Sequence, residues 1–420
     1  MSFDTISVIG LGYIGLPTAA AFASAKKKVI GIDINQHAVD TINQGKIHIV
    51  EPDLDLAVKA AVEGGFLRAS TEPQPADAFL IAVPTPFKGD YEPDLAYVEA
   101  AAKSIAPVLK KGDLVILEST SPVTATEQMA QWLMDARSDL SFPPQAGEAA
   151  DVNIAYCPER VLPGKVMVEL IQNDRVIGGM TPRCSERAAS LYKTFVKGEC
   201  VITNSRTAEM CKLTENSFRD VNIAFANELS LICDKQGINV WELIRLANRH
   251  PRVNILLPGP GVGGHCIAVD PWFIVAQNPE EARLIRAARE VNDGKPHWVV
   301  EKTKLAVAEC LTATGKRAQD VKVACLGLAF KPDIDDLRES PAMEITQLIA
   351  DWHAGQVLAV EPNVHELPKK LHGKVELVST EQALAQADVL VLLVDHQQFK
   401  VILSEQVTQN WVVDTKGVWR

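Results

Sequence analysis

A cysteine at the end of a glycine-rich loop is the first residue whose surroundings indicate chemistry. The loop occupies residues 259–265 (GPGVGGH), and Cys266 follows it. Glycines let a backbone approach a ligand closely, and a thiol near a lysine or backbone amides has a lowered pKa and becomes a thiolate nucleophile. The alternative is a small buried cysteine, which we expect for the other seven. Asp270, four residues further on, is expected to hold a water or a lysine.

Three polar residues share one face of a predicted long helix. Lys212, Asn216 and Arg219 are spaced i, i+4 and i+7, which places them on the same side. The stripe is either a solvated face or part of a site, and the nearby polar groups of Asp220 and Asn222 favour a site. The apolar residues on the other side can supply a core: Leu213, Phe218, Ile223 and Phe225.

Three further candidates end predicted strands. Glu159, in the segment Tyr156–Val161, can orient a hydrolytic water, and the alternative is a structural Glu–Arg ion pair. Thr85 and Thr120 are candidate cofactor or substrate contacts, because ligands of open α/β sheets bind at the carboxyl ends of strands. The alternative for both threonines is a simple turn residue.

The N-terminus contains a dinucleotide-binding pattern. Gly10, Gly12 and Gly15 form GxGxxG directly after a predicted strand and at the start of a predicted helix. The first glycine permits the turn, the second admits the pyrophosphate, and the third allows close packing of helix on strand. Asp33 ends the next strand, where it can bind ribose hydroxyls and would repel a 2′-phosphate, so NAD is favoured over NADP. The alternative is a structural turn with an exposed Asp33.

The elements that must position these residues predict an α/β fold. Short apolar runs alternate with helical patterns in the first half, which indicates a doubly wound parallel sheet. The predicted strands there are Thr5–Ile9, Val29–Ile34, Ala78–Val83, Asp113–Leu117 and Asn153–Tyr156, and the helices include Leu95–Leu109 and Thr124–Ala136. From about residue 201 the pattern becomes helical, with predicted helices at Arg206–Gln236, Trp241–Asn248 and Pro279–Val291.

A second α/β alternation follows the helical part. It begins with a predicted helix at Pro296–Thr314, then strands at Val321–Leu326, Gln356–Val360, Val389–Val394 and Trp411–Val413, with a helix at Pro341–His353. We therefore predict two Rossmann-like doubly wound domains joined by a helical middle domain with a long central helix. The predicted domains are residues 1–200, which contain the dinucleotide-binding pattern, 201–300 and 301–420.

Composition restricts the classes of function. The 420 residues have a formal net charge of -11, which argues against a nucleic-acid binder. We expect no secretory segment and no membrane span, because the apolar runs are short. The eight cysteines form no CxxC pairs, so we expect neither a metal site nor a disulfide scaffold, and a cytoplasmic protein with reduced thiols.

Together these motifs resemble the UDP-glucose/GDP-mannose dehydrogenase family over essentially the whole chain. The matching segments are Gly10–Gly15 with Asp33, Glu118–Thr120, Cys157–Arg160, Lys212–Asn216, Gly263–Cys266 with Asp270, Phe330–Pro332 and Asp336–Ser340. The segment Tyr156–Gly164 (YCPERVLPG) resembles the branch acting on UDP-N-acetylhexosamines, particularly UDP-N-acetylmannosamine. UDP-glucose enzymes usually have an NPEF-like stretch there.

The resemblance implies a four-electron oxidation that serves bacterial surface polysaccharide synthesis. C6 of the sugar is oxidised by NAD to an aldehyde, the Cys266 thiolate adds to it, and a second NAD oxidises the thiohemiacetal to a thioester that water hydrolyses. Lys212 and Asn216 would stabilise oxyanions and handle the alcohol proton. Glu159, Thr120 and Asp270 would position water.

The resemblance also implies contacts with the cofactor, the substrate and a partner chain. The implied cofactor contacts include Tyr13, Ile14, Thr85, Thr126 and Arg338. The implied substrate contacts, besides Lys212 and Asn216, are Arg160, Val161, Arg219, Gly263, Phe330, Lys331 and Lys416, with Arg252 and His250 reaching the partner's sugar nucleotide in a homodimer. Because Gly327-Leu328-Ala329 replaces GxGxxG, the third domain suits a nucleotide diphosphate better than a second NAD.

Three alternatives stay open at this point. The same chemistry could act on UDP-N-acetylglucosamine or UDP-glucose. A two-electron hydroxyacid dehydrogenase would share the Rossmann and helical parts and need Lys212 and Asn216 but not Cys266. A non-catalytic module that senses NAD or a nucleotide would keep Asp33 and the glycines without needing the other three residues together.

Overall fold

The computed structural model describes residues 3–49, 51–89, 91–162, 164–264, 266–402, 405, 407 and 411–419. The chain divides into two compact units, which we call unit 1 (residues 1–215) and unit 2 (residues 216–420). The three-domain division predicted from the sequence stays a prediction. His265 of the glycine-rich loop and Pro163 of the YCPERVLPG segment lie outside the described residues.

Unit 1 is built on a parallel sheet with helices on both faces. Its strands are β1 (Thr5–Ile9), β2 (Lys28–Ile32), β3 (Leu67–Ser70), β4 (Ala78–Ile81), β5 (Phe87–Lys88), β6 (Glu92–Pro93), β7 (Leu114–Leu117), β8 (Asn153–Tyr156), β9 (Arg175–Gly179) and β10 (Cys200–Asn204). Its helices are α1 (Gly15–Ser24), α2 (Gln36–Asn43), α3 (Leu54–Glu63), α4 (Ala96–Ile105), α5 (Ala125–Ala136), α6 (Pro143–Ala146), α7 (Val166–Gln172) and α8 (Pro182–Tyr192).

The strand order in the main sheet of unit 1 is β10-β9-β8-β7-β4-β1-β2-β3. Every neighbouring pair is parallel except β8 and β9, which are antiparallel. The central strands are buried on both faces, which is why they read as continuous apolar runs in the sequence. Chain order reverses between β1 and β4, so their carboxyl ends border the crevice where such sheets bind ligands.

Unit 2 contains the second sheet and two long helices. Its strands are β11 (Val323–Leu326), β12 (Val357–Val360), β13 (Val375–Leu377), β14 (Val389–Leu392) and β15 (Trp411–Asp414), all parallel in the order β13-β12-β11-β14-β15. The helix α9 (Ser205–Gln236) begins in unit 1 and continues into unit 2. The other helices are α10 (Val240–Ala247), α11 (Asp270–Gln277), α12 (Arg283–Thr314), α13 (Pro341–Trp352), α14 (Thr380–Gln386) and α15 (Gln397–Lys400).

These sheets and long helices confirm the predicted fold class, but two local predictions are wrong. The predicted helices Pro279–Val291 and Pro296–Thr314 are one helix, α12, with Pro296 inside it. Proline removes one helical hydrogen bond, yet α12 packs on α11 and α13, so tertiary contacts keep it continuous. Phe218 and Phe225 of α9, predicted for a core, are exposed in the single chain, whereas Leu213 is buried.

Among the described residues, no helix has the length and apolar character needed to cross a membrane.

Candidate active site

The loop between β1 and α1 in unit 1 uses its three glycines for different reasons. Gly10 has a φ of +90°, and a Cβ there would lie 2.6 Å from the Ala82 carbonyl oxygen. A Cβ on Gly15 would clash with the Gly10 carbonyl oxygen, whereas a Cβ on Gly12 would meet no described atom within 4 Å. Gly10 and Gly15 therefore serve the turn and the packing, and Gly12 leaves the open space that a pyrophosphate needs.

Asp33 follows β2 and is fixed beside this loop. Its Oδ2 accepts from the Leu11 N–H at 2.9 Å, and its Oδ1 accepts from the Asn35 N–H at 2.8 Å. Asp33 is half-buried, and each carboxylate oxygen retains a lone pair for a ribose hydroxyl. Tyr13 and Ile14, where α1 begins, are also half-buried.

The two candidate threonines meet where β4 and β7 end. The Thr85 hydroxyl donates to the Thr120 carbonyl oxygen, and the Ser119 hydroxyl donates to the Val83 carbonyl oxygen at 2.6 Å. Both threonines are half-buried. The structure thus brings these predicted residues together at the carboxyl edge of the sheet. Ser119, which links the two strand ends, was not predicted from the sequence.

Thr126 is buried at the start of α5 and is held by a glutamate. The Thr126 N–H and hydroxyl donate to Glu209 Oε1 at 2.8 and 2.6 Å, and the Thr124 N–H donates to Glu209 Oε2 at 2.7 Å. Glu209 therefore satisfies the free N–H groups at the beginning of α5 from a helix distant in sequence. Its pKa is raised, chiefly by burial. The Thr126 hydroxyl is thus directed at Glu209, and the cofactor contact implied for Thr126 stays a prediction.

Glu159 is buried beside an arginine that the sequence analysis did not identify. Arg175 Nη2 lies 2.9 Å from Glu159 Oε2, and the Arg160 N–H donates to Glu159 Oε1 at 2.7 Å. Arg160 directs its own guanidinium to Glu215, at 2.8 Å. Glu159 therefore forms an ion pair with an arginine from β9, and its predicted role in orienting a hydrolytic water stays a prediction. Nothing in the local sequence around Glu159 indicates that partner.

Arg175 also faces a second buried carboxylate, Glu118. Arg175 Nη1 lies 3.7 Å from Glu118 Oε1, which accepts from the Tyr192 hydroxyl at 2.7 Å. Burial raises the pKa of Glu118 to about 7, against the Arg175 charge, which lowers it. Burial also raises the pKa of Cys157 to about 12, so that thiol is an inert core group. One buried guanidinium thus lies beside two buried carboxylates.

The polar stripe on α9 is not exposed to solvent in the turn from Lys212 to Asn216. Lys212 and Asn216 are buried, and Arg219 is exposed. Within unit 2, Asn216 Nδ2 donates to Asp270 Oδ2. The structure therefore brings together two of the residues that the sequence analysis placed in the catalytic set, Asn216 and Asp270.

Cys266 is exposed and precedes α11. The Asp270 N–H donates to the Cys266 carbonyl at 2.8 Å, so the cysteine forms the first turn that leads into the helix. All eight cysteines belong to the described residues; the other seven are buried or half-buried, and none of the eight is in a disulfide. The alternative of a buried Cys266 is therefore wrong, and the accessible thiol is what a nucleophile requires.

The glycines of the loop before Cys266 allow close packing within unit 2. A Cβ on Gly263 would clash with the Glu339 carbonyl, and Gly264 has a φ of +87° with the Phe330 ring 2.9 Å from its Cβ position. The sequence analysis attributed such glycines to the approach of a ligand. The close neighbour at these two positions is instead the protein's own 330–341 segment, and a substrate contact of Gly263 stays a prediction.

A cleft lies at the carboxyl ends of β11 and β14. Its lining includes Pro260, Phe330, Pro341, Asp395 and Lys416. Lys416 Nζ lies 3.2 Å from Asp395 Oδ1, so the structure brings the predicted contacts Phe330 and Lys416 to one cleft. The other predicted contacts are spread over both units: Arg160, Val161 and Lys331 are half-buried, and His250, Arg252 and Arg338 are exposed, with Arg338 paired to Asp336.

The second sheet has a glycine turn like that of the first sheet, but the acidic residue beside it, Glu361, is buried. The Gly327 N–H donates to the Val360 carbonyl at 2.8 Å, and the Leu328 N–H donates to Glu361 Oε2 at 2.7 Å, as Leu11 does to Asp33 in unit 1. Glu361, however, is only 5% exposed, and His396 Nε2 lies 3.1 Å from the same oxygen. This carboxylate is therefore engaged inside unit 2 rather than presented to a ribose.

Three successive parts of the chain match the three domains of one protein family. Residues 4–196 match the NAD binding domain of the UDP-glucose/GDP-mannose dehydrogenase family, residues 206–294 its central domain, and residues 324–420 its UDP binding domain.

Individual relatives match over their full length. The chain is 79% identical over 420 residues to the UDP-N-acetyl-D-mannosamine dehydrogenase of Yersinia pestis and 78% identical to that of Escherichia coli K12, covering all of both proteins. A solved structure of the Pyrococcus horikoshii UDP-D-ManNAc dehydrogenase superposes with a TM-score of 0.88 at 38% identity, covering 99% of this chain and 96% of that one.

Proposed function

The chain belongs to the UDP-glucose/GDP-mannose dehydrogenase family, and on that premise we propose that it is an NAD-dependent UDP-N-acetyl-D-mannosamine dehydrogenase. It would oxidise the C6 hydroxyl of the sugar to the carboxylate of UDP-N-acetyl-D-mannosaminuronate. The observation that carries this proposal is the 78–79% identity, over the full length, to dehydrogenases named for that substrate. The same match argues against a hydroxyacid dehydrogenase and against a non-catalytic module.

The glycine turn and the acid of unit 1 fit NAD. Gly12 leaves space for the pyrophosphate, and Asp33 presents a fixed negative charge that would repel a 2′-phosphate. We also propose that Tyr13, Ile14, Thr85, Thr126 and Arg338 contribute to the cofactor site. When bound, NAD supplies the hydride acceptor for each of the two oxidations.

Cys266 would allow the aldehyde to be oxidised further. In the first oxidation C6 loses a hydride and the hydroxyl loses a proton, which gives an aldehyde. The thiolate then forms a C–S bond as the carbonyl π bond breaks, and the oxygen takes up a proton to give a thiohemiacetal. The thiohemiacetal loses a second hydride and a proton to give a thioester. Water forms a bond to the thioester carbon, the C–S bond breaks, and the carboxylate, the thiol and one proton are released. One sugar therefore reduces two NAD.

The buried polar residues would assist at stated atoms. We propose that Lys212, together with the Asn216 amide, stabilises the oxyanion at C6, because donors in a dry site act strongly on developing charge. Asp270 orients the Asn216 amide through their hydrogen bond. Glu159 and Thr120 would direct the hydrolytic water, and the ion pair with Arg175 would hold the Glu159 side chain in place.

We propose that unit 2 supplies most of the UDP-sugar contacts. The cleft beside β11 and β14 supports this, since Phe330 and Lys416 line it. The remaining proposed contacts are Lys331, Gly263, Arg160, Val161 and Arg219. We also propose a three-domain organisation, with residues 1–200, 201–300 and 301–420, because the three family domains match the chain in that order. We propose a cytoplasmic location, which is supported by eight cysteines, all within the described residues, that form no disulfide.

A panel of nucleotide sugars tests the proposed substrate. We expect UDP-N-acetyl-D-mannosamine with NAD to exceed UDP-N-acetyl-D-glucosamine and UDP-glucose by about 100-fold or more in kcat/KM, because a site built for one polar substituent rejects analogues that leave its groups unpaired. NADH formation measures the rates, and NADP replaces NAD as the control. Faster turnover of UDP-glucose than of UDP-N-acetyl-D-mannosamine would contradict the proposal.

We further propose that the chain is a homodimer built on α9. Phe218, Phe225 and Ile232 follow one another at intervals of seven residues and are 68%, 52% and 45% exposed. Residues seven apart lie on one side of a helix, and such a stripe packs against another helix. A second copy can cover it, and the exposed Arg252 and His250 are then proposed to reach the partner's sugar nucleotide.

A charge placed in this stripe should separate the dimer. We expect Phe225→Lys to be monomeric at concentrations where the unchanged protein is dimeric, because the interface would have to bury an ammonium group without a partner. Sedimentation velocity measures the mass. Leu305→Lys is the matched control, since Leu305 is 56% exposed on α12 outside the stripe. The proposed dimer is wrong if the unchanged protein sediments as a monomer. The proposed interface is wrong if the Phe225→Lys variant is still a dimer.

A further inference from the structure

A buried polar network joins α9 and α12 within unit 2 and has no part in the chemistry described above. Arg289 is 1% exposed, and its Nη1 donates to Asp220 Oδ1 at 2.7 Å. Asn292 Nδ2 donates to the same Asp220 oxygen at 2.8 Å, and Asn227 Nδ2 donates to Asn292 Oδ1 at 2.8 Å. Arg289 Nη2 also donates to Asp293. Groups of this kind are costly to bury, so their arrangement calls for a reason beyond packing.

The network contacts the chain on both sides of Cys266. At one end, the Gly259 N–H donates to Asn227 Oδ1 at 2.9 Å. At the other end, Arg289 Nη1 donates to the carbonyl oxygen of Ile267, the residue directly after Cys266, at 3.4 Å. The two contacts therefore lie at the start of the glycine-rich loop and just past its end.

A loop rich in glycine cannot hold a nucleophile in place by itself. Its backbone has more conformations than other sequences allow, and ordering them costs free energy. Helices α9 and α12 are 32-residue elements, and hydrogen bonds from them can transfer their rigidity to the loop. The contact from Arg289, at 3.4 Å, is longer than the contact from Asn227, at 2.9 Å, so it is the weaker of the two.

We propose that Asn227 and Arg289 are positioning residues that hold the two ends of the loop carrying Cys266, so that the helix pair sets the position of the nucleophile. Neither residue touches the reacting atoms. This inference rests on the proposed function, because it takes Cys266 as the nucleophile for the aldehyde. It predicts that loosening either end harms the second oxidation more than the first.

Two variants test the two ends. Asn227→Ala removes the acceptor for the Gly259 N–H without leaving a charge unpaired. Arg289→Lys keeps a cation for Asp220, but a single ammonium cannot reproduce the planar fork that also serves Ile267. For each variant we expect kcat to fall about 10- to 100-fold, because a displacement of about 1 Å at a reacting group can cost that much. KM for NAD should stay unchanged.

The product ratio separates positioning from a purely structural role. If the thiolate is misplaced, aldehyde escapes before it is captured, so NADH formed per sugar consumed should fall from two towards one. Ser230→Ala is the matched control, because it removes the buried hydrogen bond from Lys295 of α12 to Ser230 of α9, which lies one turn from Asn227. This control should keep two NADH per sugar even if its melting temperature falls.

The outcomes distinguish this inference from the function on which it rests. If both variants lower the melting temperature but keep two NADH per sugar and the original kcat, Asn227 and Arg289 only stabilise the helix pair, and the inference is wrong. If the unchanged protein itself forms one NADH per sugar, the nucleophile proposed for Cys266 is wrong. Should Arg289→Lys fail to fold, the product ratio of Asn227→Ala decides the question.

Discussion

Cys266→Ser is expected to lose about 1,000-fold or more of the steady-state oxidation of the nucleotide sugar, as is typical when a covalent nucleophile is removed. A serine hydroxyl is not ionised near neutral pH and cannot replace the thiolate in capturing the aldehyde. The first oxidation does not need the thiol, so slow formation of one NADH per sugar should persist. KM for NAD should change little, because the glycine turn and Asp33 lie in unit 1.

Single-turnover measurements of NADH, with the products analysed by mass spectrometry, check this prediction. Cys200→Ser is the control, since Cys200 is the half-buried first residue of β10 and has no proposed part in the chemistry. That variant should keep two NADH per sugar. If Cys266→Ser still forms the carboxylate at the normal rate, the aldehyde is oxidised as its hydrate and no covalent step occurs.

The second large effect is expected for stability rather than turnover. Arg175→Met should lower the free energy of unfolding by about 3–5 kcal/mol, because it leaves buried carboxylates without their cation. Glu118 and Glu159 are the two carboxylates concerned. Methionine fills a similar volume, so the loss reports charge more than packing. Activity should fall as well, since Arg175 would no longer hold the Glu159 side chain in place.

The size of this loss should depend on pH. Burial raises the pKa of Glu118 to about 7, and removal of Arg175 takes away the charge that lowers it. A carboxyl group whose pKa is raised on folding favours the folded state when protonated, and that benefit disappears as the pH rises through the folded-state pKa. The deficit of Arg175→Met should therefore be smaller at about pH 5.5 than at about pH 8.

Urea unfolding followed by circular dichroism, at the two pH values, measures both effects. Arg206→Met is the control, because Arg206 pairs with Glu127 on the exposed surface of unit 1 at 2.6 Å. Exposed pairs contribute about 1 kcal/mol at most, so this variant should unfold almost as the unchanged protein does. Equal losses for Arg175→Met and Arg206→Met would show that the buried carboxylates do not depend on Arg175.

Much of the candidate site could be predicted because its signals are local. The glycine turn and Asp33 depend on spacing within one strand–turn–helix–strand segment, and the structure keeps them in the predicted arrangement. The alternation of apolar runs and helical periods predicted both sheets and the long α9. Cys266 could be singled out because it directly follows a loop whose high glycine content is visible in the sequence.

The pairing of buried polar groups could not be predicted in the same way. Glu159 pairs with Arg175, and Thr126 with Glu209, across 16 and 83 residues of sequence. Many arginines and glutamates were available to each, and only the folded chain selects one. Burial then stabilises that one pairing, because a buried charge without its partner costs free energy. Pro296 shows the same limit for backbone, since tertiary packing kept a helix that local rules end.

Residues close together in the chain were sufficient to predict the alternation of strands and helices, the glycine turn and the exposed cysteine at the end of the glycine-rich loop. The tertiary structure decided which polar groups face one another and which apolar side chains stay outside the core. Phe218 and Phe225 illustrate this for apolar side chains. They lie on an apolar side of α9, yet only the folded chain shows that this side faces outwards. Periodicity reports that a helix has an apolar side, whereas burial depends on what that side meets.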